Sequence, residues 1–219
     1  MKYLAKEIEL NELVMEWNKK INLVSRKKKN VFDLIDESRM FLEYIIPHPC
    51  LNAGGTGRQA NSLQGRGDKE MQGPIRIMDL GTGGGFPGIV IRIHKPEIKM
   101  VLVESIMKKV TAVCDIISRL GLKNITAMCM RAEDMAKNNV FKHTFDYITA
   151  RSVAELNELV MWSRGLLKPG GKLITLKGGD ICDELSKTKR MKCVKDIEVY
   201  EKGGRKVIIT IMLPAKGRN

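Results

Sequence analysis

The chain has 219 residues, 43% hydrophobic and 29% charged, a composition typical of a globular protein with one domain and a modest appendage. It has no run of about 18 apolar residues, which excludes a transmembrane helix. Its N-terminal stretch MKYLAKEIELNELVMEW carries acids where a signal peptide would be apolar, so we expect a cytoplasmic protein with no membrane partner. The formal net charge of +13 favours a polyanion such as RNA or DNA as a partner.

The cysteines and histidines form no metal-binding pattern. The chain has five cysteines, none at a C-x-x-C spacing, and its three histidines do not cluster with them. We expect reduced thiols, with neither a metal site nor a disulfide framework.

The N-terminal part of the sequence predicts two helices joined by a basic loop. Apolar residues recur at helical spacing over residues 3–21 and again over 31–46. The loop between them contains four consecutive basic residues, which are either solvated or in contact with a nucleic-acid backbone: Arg26, Lys27, Lys28 and Lys29. We assign residues 1–49 to a small N-terminal helical extension.

Residues 50–73 have few apolar side chains and many Gly, Asn and Gln residues, which is typical of a flexible linker or an insertion. A domain boundary near Pro74 follows from this change in composition. We therefore expect the main domain to span residues 74–219.

The main domain alternates strand and helix patterns. Strands are predicted at 75–80, 99–104, 124–129, 145–150 and 171–177, with helices at 86–95, 106–121 and 153–167. This alternation indicates an α/β fold, with a parallel sheet covered on both faces. The last two strand patterns, CVKDIEVY and KVIITIML, are separated only by EKGGR, which is too short for a crossover and predicts an antiparallel hairpin. The expected sheet is Rossmann-like, mostly parallel and seven-stranded.

A glycine-rich stretch, DLGTGGGFPG, follows the first strand, at the edge where open α/β sheets bind ligands. It lacks the Lys-Ser or Lys-Thr of a phosphate-binding loop. A dinucleotide fingerprint fits at Gly81 and Gly83 but fails at Phe86, which is too large for the position of the third glycine. A third pattern, D-x-G-x-G-x-G, resembles motif I of the class I methyltransferases, which bind S-adenosylmethionine, and its residues here are Asp79, Gly81, Gly83 and Gly85.

Two further strand ends fit the same cofactor. The resemblance implies that Asp79 helps to orient the methionine part of the cofactor, while the glycines let the backbone pass close to it. Glu104, followed by Ser105, ends the second strand near the offset of about 20 residues at which an acid binds ribose hydroxyls in nucleotide-binding folds. The third strand leads into Ala132 and Glu133, where methyltransferases often contact adenine. The alternative is that Glu104 and Glu133 only cap the helices that follow them.

Almost the whole chain outside residues 50–73 resembles the bacterial ribosomal RNA small-subunit methyltransferase G family, once called glucose-inhibited division protein B. The matching stretches are WNKKINLVS (17–25), DLGTGGGFPGIVI (79–91), RAED (131–134), ARSVAEL (150–156), LLKPGGKLITLKG (166–178) and GRKVIITI (204–211). Two positions depart from the family: Val24 stands for the usual Thr, and DLIDES in the second helix lacks the family's His.

The resemblance implies methyl transfer from S-adenosylmethionine to N7 of a guanine in the 530 loop of 16S rRNA, in the small ribosomal subunit. Position by position, it places cofactor contacts at Gly81, Phe86, Ala132, Glu133 and Arg151. It also places basic residues around the pocket, as partners for RNA phosphate or the guanine edge, at Arg131, Arg151, Lys177 and Arg205.

Such a reaction makes few demands on catalytic side chains. N7 of guanine carries a lone pair at neutral pH, so no general base is needed and the task is alignment with the methyl donor. The methylated product is cationic, and we therefore assign Arg151 and Lys177 to binding and orientation rather than to catalysis. Lys177, Arg205 and Lys206 are candidate RNA contacts, with solvated strand ends as the alternative.

Other functions fit parts of the sequence. A class I methyltransferase for another RNA, a protein or a small molecule would share the cofactor half, although a small-molecule enzyme has no need of the positive charge. A non-catalytic RNA-binding module would keep the fold alone, and the intact glycine loop with Glu104 argues against it. Methylation at cytosine C5 needs a nucleophilic cysteine, and Pro49-Cys50 lies far from the usual place of such a thiol. We expect a monomer, since no apolar seam indicates an oligomer.

Overall fold

The computed structural model describes residues 2–45 and 73–212. Its strands are β1 (Arg76–Leu80), β2 (Lys99–Glu104), β3 (Ile125–Cys129), β4 (Phe145–Arg151), β5 (Leu167–Lys177), β6 (Val194–Lys202) and β7 (Arg205–Met212). Within the described ranges they form one seven-stranded sheet in the order β3-β2-β1-β4-β5-β7-β6. Strands β1 to β5 pair in parallel, and β7 runs antiparallel to β5 and β6. The predicted α/β fold with its terminal hairpin is confirmed.

Helices cover both faces of the sheet. Their bounds are α1 (Lys2–Asn18), α2 (Phe32–Arg39), α3 (Gly88–His94), α4 (Met107–Arg119), α5 (Ala132–Lys137), α6 (Leu156–Ser163) and α7 (Cys182–Lys189). Short 3-10 turns follow α2 at Met40–Glu43 and α5 at Asn139–Phe141. The sequence pattern does not predict α5 or α7, because the buried residue of α5 is Met135 and that of α7 is Thr188, so neither helix carries an apolar stripe.

Both N-terminal helices end earlier than predicted. The helix expected over 3–21 stops at Asn18, whose side-chain oxygen accepts hydrogen bonds from the backbone N–H groups of Leu23 and Val24 at 3.0 and 3.1 Å. These bonds turn the chain back after α1. The helix expected over 31–46 is α-helical in its first half only, as α2, and then tightens into the 3-10 turn.

Two helices of the main domain are also shorter than predicted. The helix expected over 86–95 begins at Gly88, after a cis Phe86–Pro87 peptide. The helix expected over 153–167 begins at Leu156, because Glu155 caps it in a reciprocal capping box. The spacing of the apolar residues marks neither start.

Two irregularities of the strands involve glycine. Strand β5 begins at Leu167 rather than at the predicted residue 171. Its pairing with β4 shifts register between Leu167 and Lys172, and Gly170 within this stretch has a φ of +79°. The hairpin between β6 and β7 turns at Gly203 and Gly204, with φ values of +55° and +72°. Left-handed values at both central residues are what a two-residue hairpin of this type requires.

Two clusters of buried side chains, among the described residues, lie on opposite faces of the sheet. Neighbouring strand residues alternate between them, as with Ile77 and Met78 of β1. Helices α1 to α4 pack in the first cluster and α5 to α7 in the second. The N-terminal helices therefore share a core with the sheet. The linker predicted at 50–73 lies, apart from Gly73, outside the described residues.

A buried acid fastens α1 to its neighbours. Glu7, with 2% of its side chain exposed, accepts a hydrogen bond from Arg39 Nε at 3.0 Å, and its carboxylate lies 2.9 Å from His94 Nε2. Burial raises the pKa of Glu7, but the hydrogen bonds with Arg39 and His94 outweigh burial and hold that pKa below its usual range. Trp17 Nε1 adds a bond to Asp115 of α4 at 2.7 Å.

Across residues 2–45 and 73–212, no helix is both long and apolar enough to cross a membrane. In the same ranges Cys114, Cys129, Cys182 and Cys193 are free thiols, and no group of three or more metal-ligating side chains comes together. Cys50 lies outside the described residues.

Candidate functional site

A cavity of about 560 Å³ opens at the carboxyl ends of β1, β2 and β4. Its volume lies within the range of small-molecule and cofactor sites. Strand β1 stands between β2 and β4, so the cavity occupies the point at which the strand order reverses. The loops after these strands and after β3 line it, and the N-terminal extension contributes further lining.

The glycine loop after β1 brings bare backbone to the cavity. Gly81, Gly83 and Gly85 have φ values of +71°, +58° and +94°, which L side chains rarely adopt. The N–H of Gly81 donates to Val103 O of β2 at 2.9 Å and so ties the loop to the next strand. A Cβ on Gly81 would stand 2.6 Å from a Val153 methyl group, which shows how closely the loop after β4 packs on this backbone.

Asp79 lies behind the glycine loop and is fully buried. Its carboxylate accepts hydrogen bonds from Thr82 Oγ1 at 2.6 Å, from Gly88 N at 2.9 Å and from Thr149 Oγ1 at 3.0 Å. Burial raises the pKa of Asp79 from 3.8 to about 6, against the opposing effect of these bonds and of the Arg151 charge. Asp79 thus fixes the loop and the start of α3, and it is not part of the cavity lining.

Gly88, rather than the residue at position 86, lets α3 approach the sheet. A Cβ on Gly88 would lie 2.2 Å from Leu102 Cδ2, so only glycine fits there without a shift. Phe86 is itself buried, with 2% exposed, and neither it nor Gly85 lines the cavity. The close helix–strand contact of dinucleotide-binding folds is therefore present, displaced by two residues along the chain.

Glu104 lines the cavity from the end of β2. Its Oε2 accepts from Gly83 N at 3.1 Å, and its Oε1 accepts from Ile106 N at 3.0 Å and Ser105 Oγ at 3.3 Å. The ammonium of Lys109 lies 3.9 Å away. A carboxylate accepts about four hydrogen bonds, so capacity remains for a ligand. Glu104 therefore holds the turn before α4, as the capping alternative expects, and also faces the cavity.

The loop after β3 forms another side of the cavity. It contributes Met130 and Arg131, and the start of α5 contributes Ala132 and Glu133; of the four, Arg131 and Glu133 are exposed. Met130 N donates to the backbone oxygen of Glu104 at 3.0 Å, which holds this loop beside β2. The predicted adenine contacts at Ala132 and Glu133 thus stand next to Glu104.

The N-terminal extension supplies a wall that the motif analysis missed. Leu23, Val24 and Ser25, with Lys28 and with Leu34 of α2, line the cavity. Of these residues, only Lys28 is predicted from the sequence to be a site residue, and the prediction is an RNA contact rather than a cavity wall. The signal for Leu23, Val24 and Ser25 was the family-like stretch WNKKINLVS, since the side chain of Asn18 makes the turn that brings the chain back to the cavity.

Arg151 at the end of β4 lines the cavity, and a carboxylate of α2 pairs with it. Its Nη1 donates to Glu37 Oε2 at 3.3 Å, whereas its buried Nε has no partner within the described residues. Arg205 of β7 binds the other oxygen of the same carboxylate, from Nε at 3.0 Å and Nη2 at 2.7 Å. Arg205 itself does not line the cavity.

The two candidate lysines of the C-terminal half are also bonded to other groups of this chain. Lys177 Nζ donates to Ala154 O at 2.6 Å and lies 2.8 Å from Glu184 of α7, with 12% of its side chain exposed. Burial raises the pKa of Glu184, but the hydrogen bonds from Lys177 and Leu156 N and the charges of Lys177 and Lys187 together outweigh burial and leave that pKa lowered. Lys206 Nζ donates to Gly179 O at 2.9 Å. Neither lysine lines the cavity.

The cavity thus brings together most of the predicted cofactor residues and some of the basic ones. The predicted residues that line it are Lys28, Gly81, Gly83, Glu104, Ser105, Arg131, Ala132, Glu133 and Arg151. Those outside its lining are Arg26, Lys27, Lys29, Asp79, Gly85, Phe86, Lys177, Arg205 and Lys206. Arg26 and Lys27 line an adjoining recess of about 550 Å³ that shares Leu23, Val24, Ser25 and Lys109 with the cavity.

These features fit a nucleoside cofactor with an amino-acid tail. The glycine backbone permits close approach, Glu104 offers free acceptor sites, and Leu23 and Val24 give apolar contact. Together with the strand order, they define a class I methyltransferase fold. An S-adenosylmethionine-dependent O-methyltransferase from Thermotoga maritima shares this fold with a TM-score of 0.53 and 17% identity, over 67% of this chain and 62% of that one.

Sequence comparison identifies the family. The profile of the family described as rRNA small subunit methyltransferase G matches residues 61–205. The protein named ribosomal RNA small subunit methyltransferase G from Lactococcus lactis subsp. cremoris is 32% identical over 82% of this chain, and the match spans 66% of the length of that relative. Its namesake from Christiangramia forsetii is 32% identical over 97% of this chain and 90% of its own. The chain belongs to this family, and S-adenosylmethionine is its cofactor.

Proposed function

We propose that this protein transfers a methyl group from S-adenosylmethionine to N7 of a guanine in the 530 loop of 16S rRNA. The observation that carries the proposal is the match to a family whose description names small-subunit rRNA as the substrate. The net charge of +13 supports an RNA acceptor over a small molecule. We also propose that the protein acts as a cytoplasmic monomer, where the small ribosomal subunit is available to it.

We propose a task for each strand end at the cavity. We assign Glu104 to the ribose hydroxyls, the backbone of Gly81 and Gly83 to the amino-acid part, and Ala132 with Glu133 to the adenine. When bound, S-adenosylmethionine supplies an electrophilic methyl group on a sulfonium centre. The protein has to hold that group and the acceptor in line, where positioning contributes on the order of 7–11 kcal/mol.

The composition of the cavity suits an acceptor that needs no deprotonation. Among its described lining residues there is no histidine, cysteine or tyrosine, and the two acids are Glu104 and Glu133. Glu104 is already bonded to Gly83 N and Ile106 N. N7 of guanine attacks through its own lone pair, so the reaction requires none of these side chains to act as a general base.

The basic residues next to the cavity suit the RNA. Arg26, Lys27 and Lys109 line the adjoining recess, and Arg131 is exposed at the cavity itself. Contacts with phosphate position an RNA without reading its sequence, so these residues would hold the strand while the unstacked guanine enters.

The test uses small subunits from a strain that lacks this modification. The protein is incubated with them and labelled S-adenosylmethionine, and the label is mapped by borohydride–aniline cleavage, which cuts at N7-methylated guanine. A single cut in the 530 loop is the expected result. Label without a cut would refute the acceptor atom, and cofactor binding with no transfer to subunits or free RNA would refute the rRNA substrate.

The two ends of β2 offer a matched control. Glu104→Gln removes the charge at the cavity, and Glu97→Gln makes the same change at an exposed residue before the other end of the strand. We expect Glu104→Gln to weaken cofactor binding and Glu97→Gln to leave it unchanged. Equal effects of the two changes would contradict the assignment of Glu104.

A further inference from the structure

Glu37 of α2 joins two arginines that come from distant parts of the sheet. One of its oxygens accepts from Arg151 Nη1 at 3.3 Å, and the other accepts from Arg205 Nε at 3.0 Å. The Glu37 side chain is 15% exposed, and those of Arg151 and Arg205 are 20% and 47% exposed. Of the two arginines, Arg151 lines the cavity and Arg205 does not. The carboxylate therefore stands beside the cavity, with the guanidinium of Arg151 between the two.

The described lining of the cavity has an excess of positive charge. Four basic side chains face two acidic ones: Lys28, Lys109, Arg131 and Arg151 against Glu104 and Glu133. S-adenosylmethionine carries a positive sulfonium, and a guanine methylated at N7 is also a cation. Repulsion between like charges is stronger in a partly desolvated site than in water. An uncompensated positive lining would therefore weaken the binding of the cofactor and of the methylated guanine.

We propose that Glu37 is the counter-ion of Arg151 and shifts the relative affinity of the cavity toward the cationic cofactor and away from S-adenosylhomocysteine, which has a neutral sulfur. Paired with Glu37, Arg151 keeps its donor groups, including Nε, which has no partner in residues 2–45 and 73–212, while its net charge is offset. Glu37 is thus a positioning residue that acts through Arg151. This inference rests on the cofactor of the proposed function and needs no RNA.

A purely structural role for Glu37 predicts a different result. If Glu37 only fastens α2 to the sheet, its loss loosens Leu34 and the N-terminal wall, and both ligands weaken together. If Glu37 compensates charge, its loss weakens the sulfonium ligand more than the neutral one. The ratio of the two dissociation constants therefore separates the roles.

The experiment titrates the purified protein with S-adenosylmethionine and, separately, with S-adenosylhomocysteine by calorimetry at low salt. In Glu37→Gln we expect the ratio of the dissociation constant of the cofactor to that of the product to rise about three- to tenfold. The matched control is Asp36→Asn, the same change of charge on the same helix, at a side chain that is 65% exposed and pairs with Arg39. We expect Asp36→Asn and the charge-conserving Glu37→Asp to keep the wild-type ratio.

An unchanged ratio in a folded Glu37→Gln protein, or an equal rise in Asp36→Asn, overturns the proposal. If Glu37→Gln does not fold, Arg205→Gln tests the proposal instead. It removes the second cation bound to Glu37, so that the carboxylate offsets the charge of Arg151 alone. A roughly twofold fall of the ratio in Arg205→Gln supports the proposal, and an unchanged or raised ratio overturns it. Neither result bears on the rRNA target, which is tested by the cleavage experiment.

Discussion

Gly88→Ala is expected to destabilise the fold through the contact between α3 and the sheet. The added Cβ would lie 2.2 Å from Leu102 Cδ2 and 2.9 Å from Asp79 Oδ2, well inside normal contact distances. Overpacking of this kind costs about 1–3 kcal/mol. Displacing the Gly88 N–H from the carboxylate of Asp79 adds about 1.5–3 kcal/mol, since that bond has a charged acceptor. We expect a net loss of about 1.5–5.5 kcal/mol after the smaller unfolded-state entropy of alanine is subtracted.

Gly84→Ala is the matched control within the same stretch. At Gly84 the nearest atoms to a new Cβ are Val24 Cγ1 at 3.4 Å and Leu23 O at 3.5 Å, and the backbone is not left-handed. Alanine there should be neutral or stabilise by about 0.4–1 kcal/mol. Urea unfolding without cofactor, followed by circular dichroism, measures both free energies of unfolding. Values for the two variants within about 0.5 kcal/mol of each other would refute the packing argument.

Three further outcomes are expected. Asp79→Asn removes a group whose pKa is raised to about 6 in the folded protein. As the pH rises from 4.5 to 7, the free energy of unfolding of the wild type should therefore fall by about 2 kcal/mol relative to that of the variant. Urea unfolding at both pH values checks this, and a constant difference would contradict it. Glu7→Gln should cost about 1–2 kcal/mol at pH 7 and less as the pH falls below about 4.5, since the pKa of Glu7 is lowered by its partners; the same titration measures it. Changing Arg26, Lys27 and Lys29 to Gln, with the cavity-lining Lys28 kept, should make the negative slope of log affinity for RNA against log salt shallower by about two units. The affinity for the cofactor should not change. Filter binding at several salt concentrations tests this, and an unchanged slope would make the run ordinary surface.

Strands were predictable because burial on both faces gives them continuous apolar character. The strand expected at 99–104 has those bounds in the structure, and that expected at 75–80 starts one residue late, at Arg76. Helices were harder, since their ends depend on single side chains such as Asn18 and Glu155. Helices α5 and α7 bury too little apolar surface to leave a periodic signal.

The site was predictable where a residue ends a strand of the parallel sheet. Glu104 and Arg151 reach the cavity for that reason, because the carboxyl ends of parallel strands meet at one edge. The position of Asp79 behind its loop was not predictable from the spacing of motif I, since the spacing does not say which way the carboxylate turns. The pairing of Glu37 with Arg151 joins residues 114 positions apart, and a single sequence carries no signal for such a contact.

The turn made by Asn18 places part of the cavity wall and the basic run, for which we propose RNA contacts, on one short segment. Residues 23–25 form part of the cofactor wall, and the basic run begins at the next residue. A ligand that orders one end of this segment therefore lowers the entropy that the ligand at the other end must remove. The cofactor and a polyanion at the basic run must change each other's affinity by the same factor, because the coupling of two binding equilibria is reciprocal. The N-terminal extension thus gives the cofactor and the proposed RNA substrate a physical route to cooperative binding.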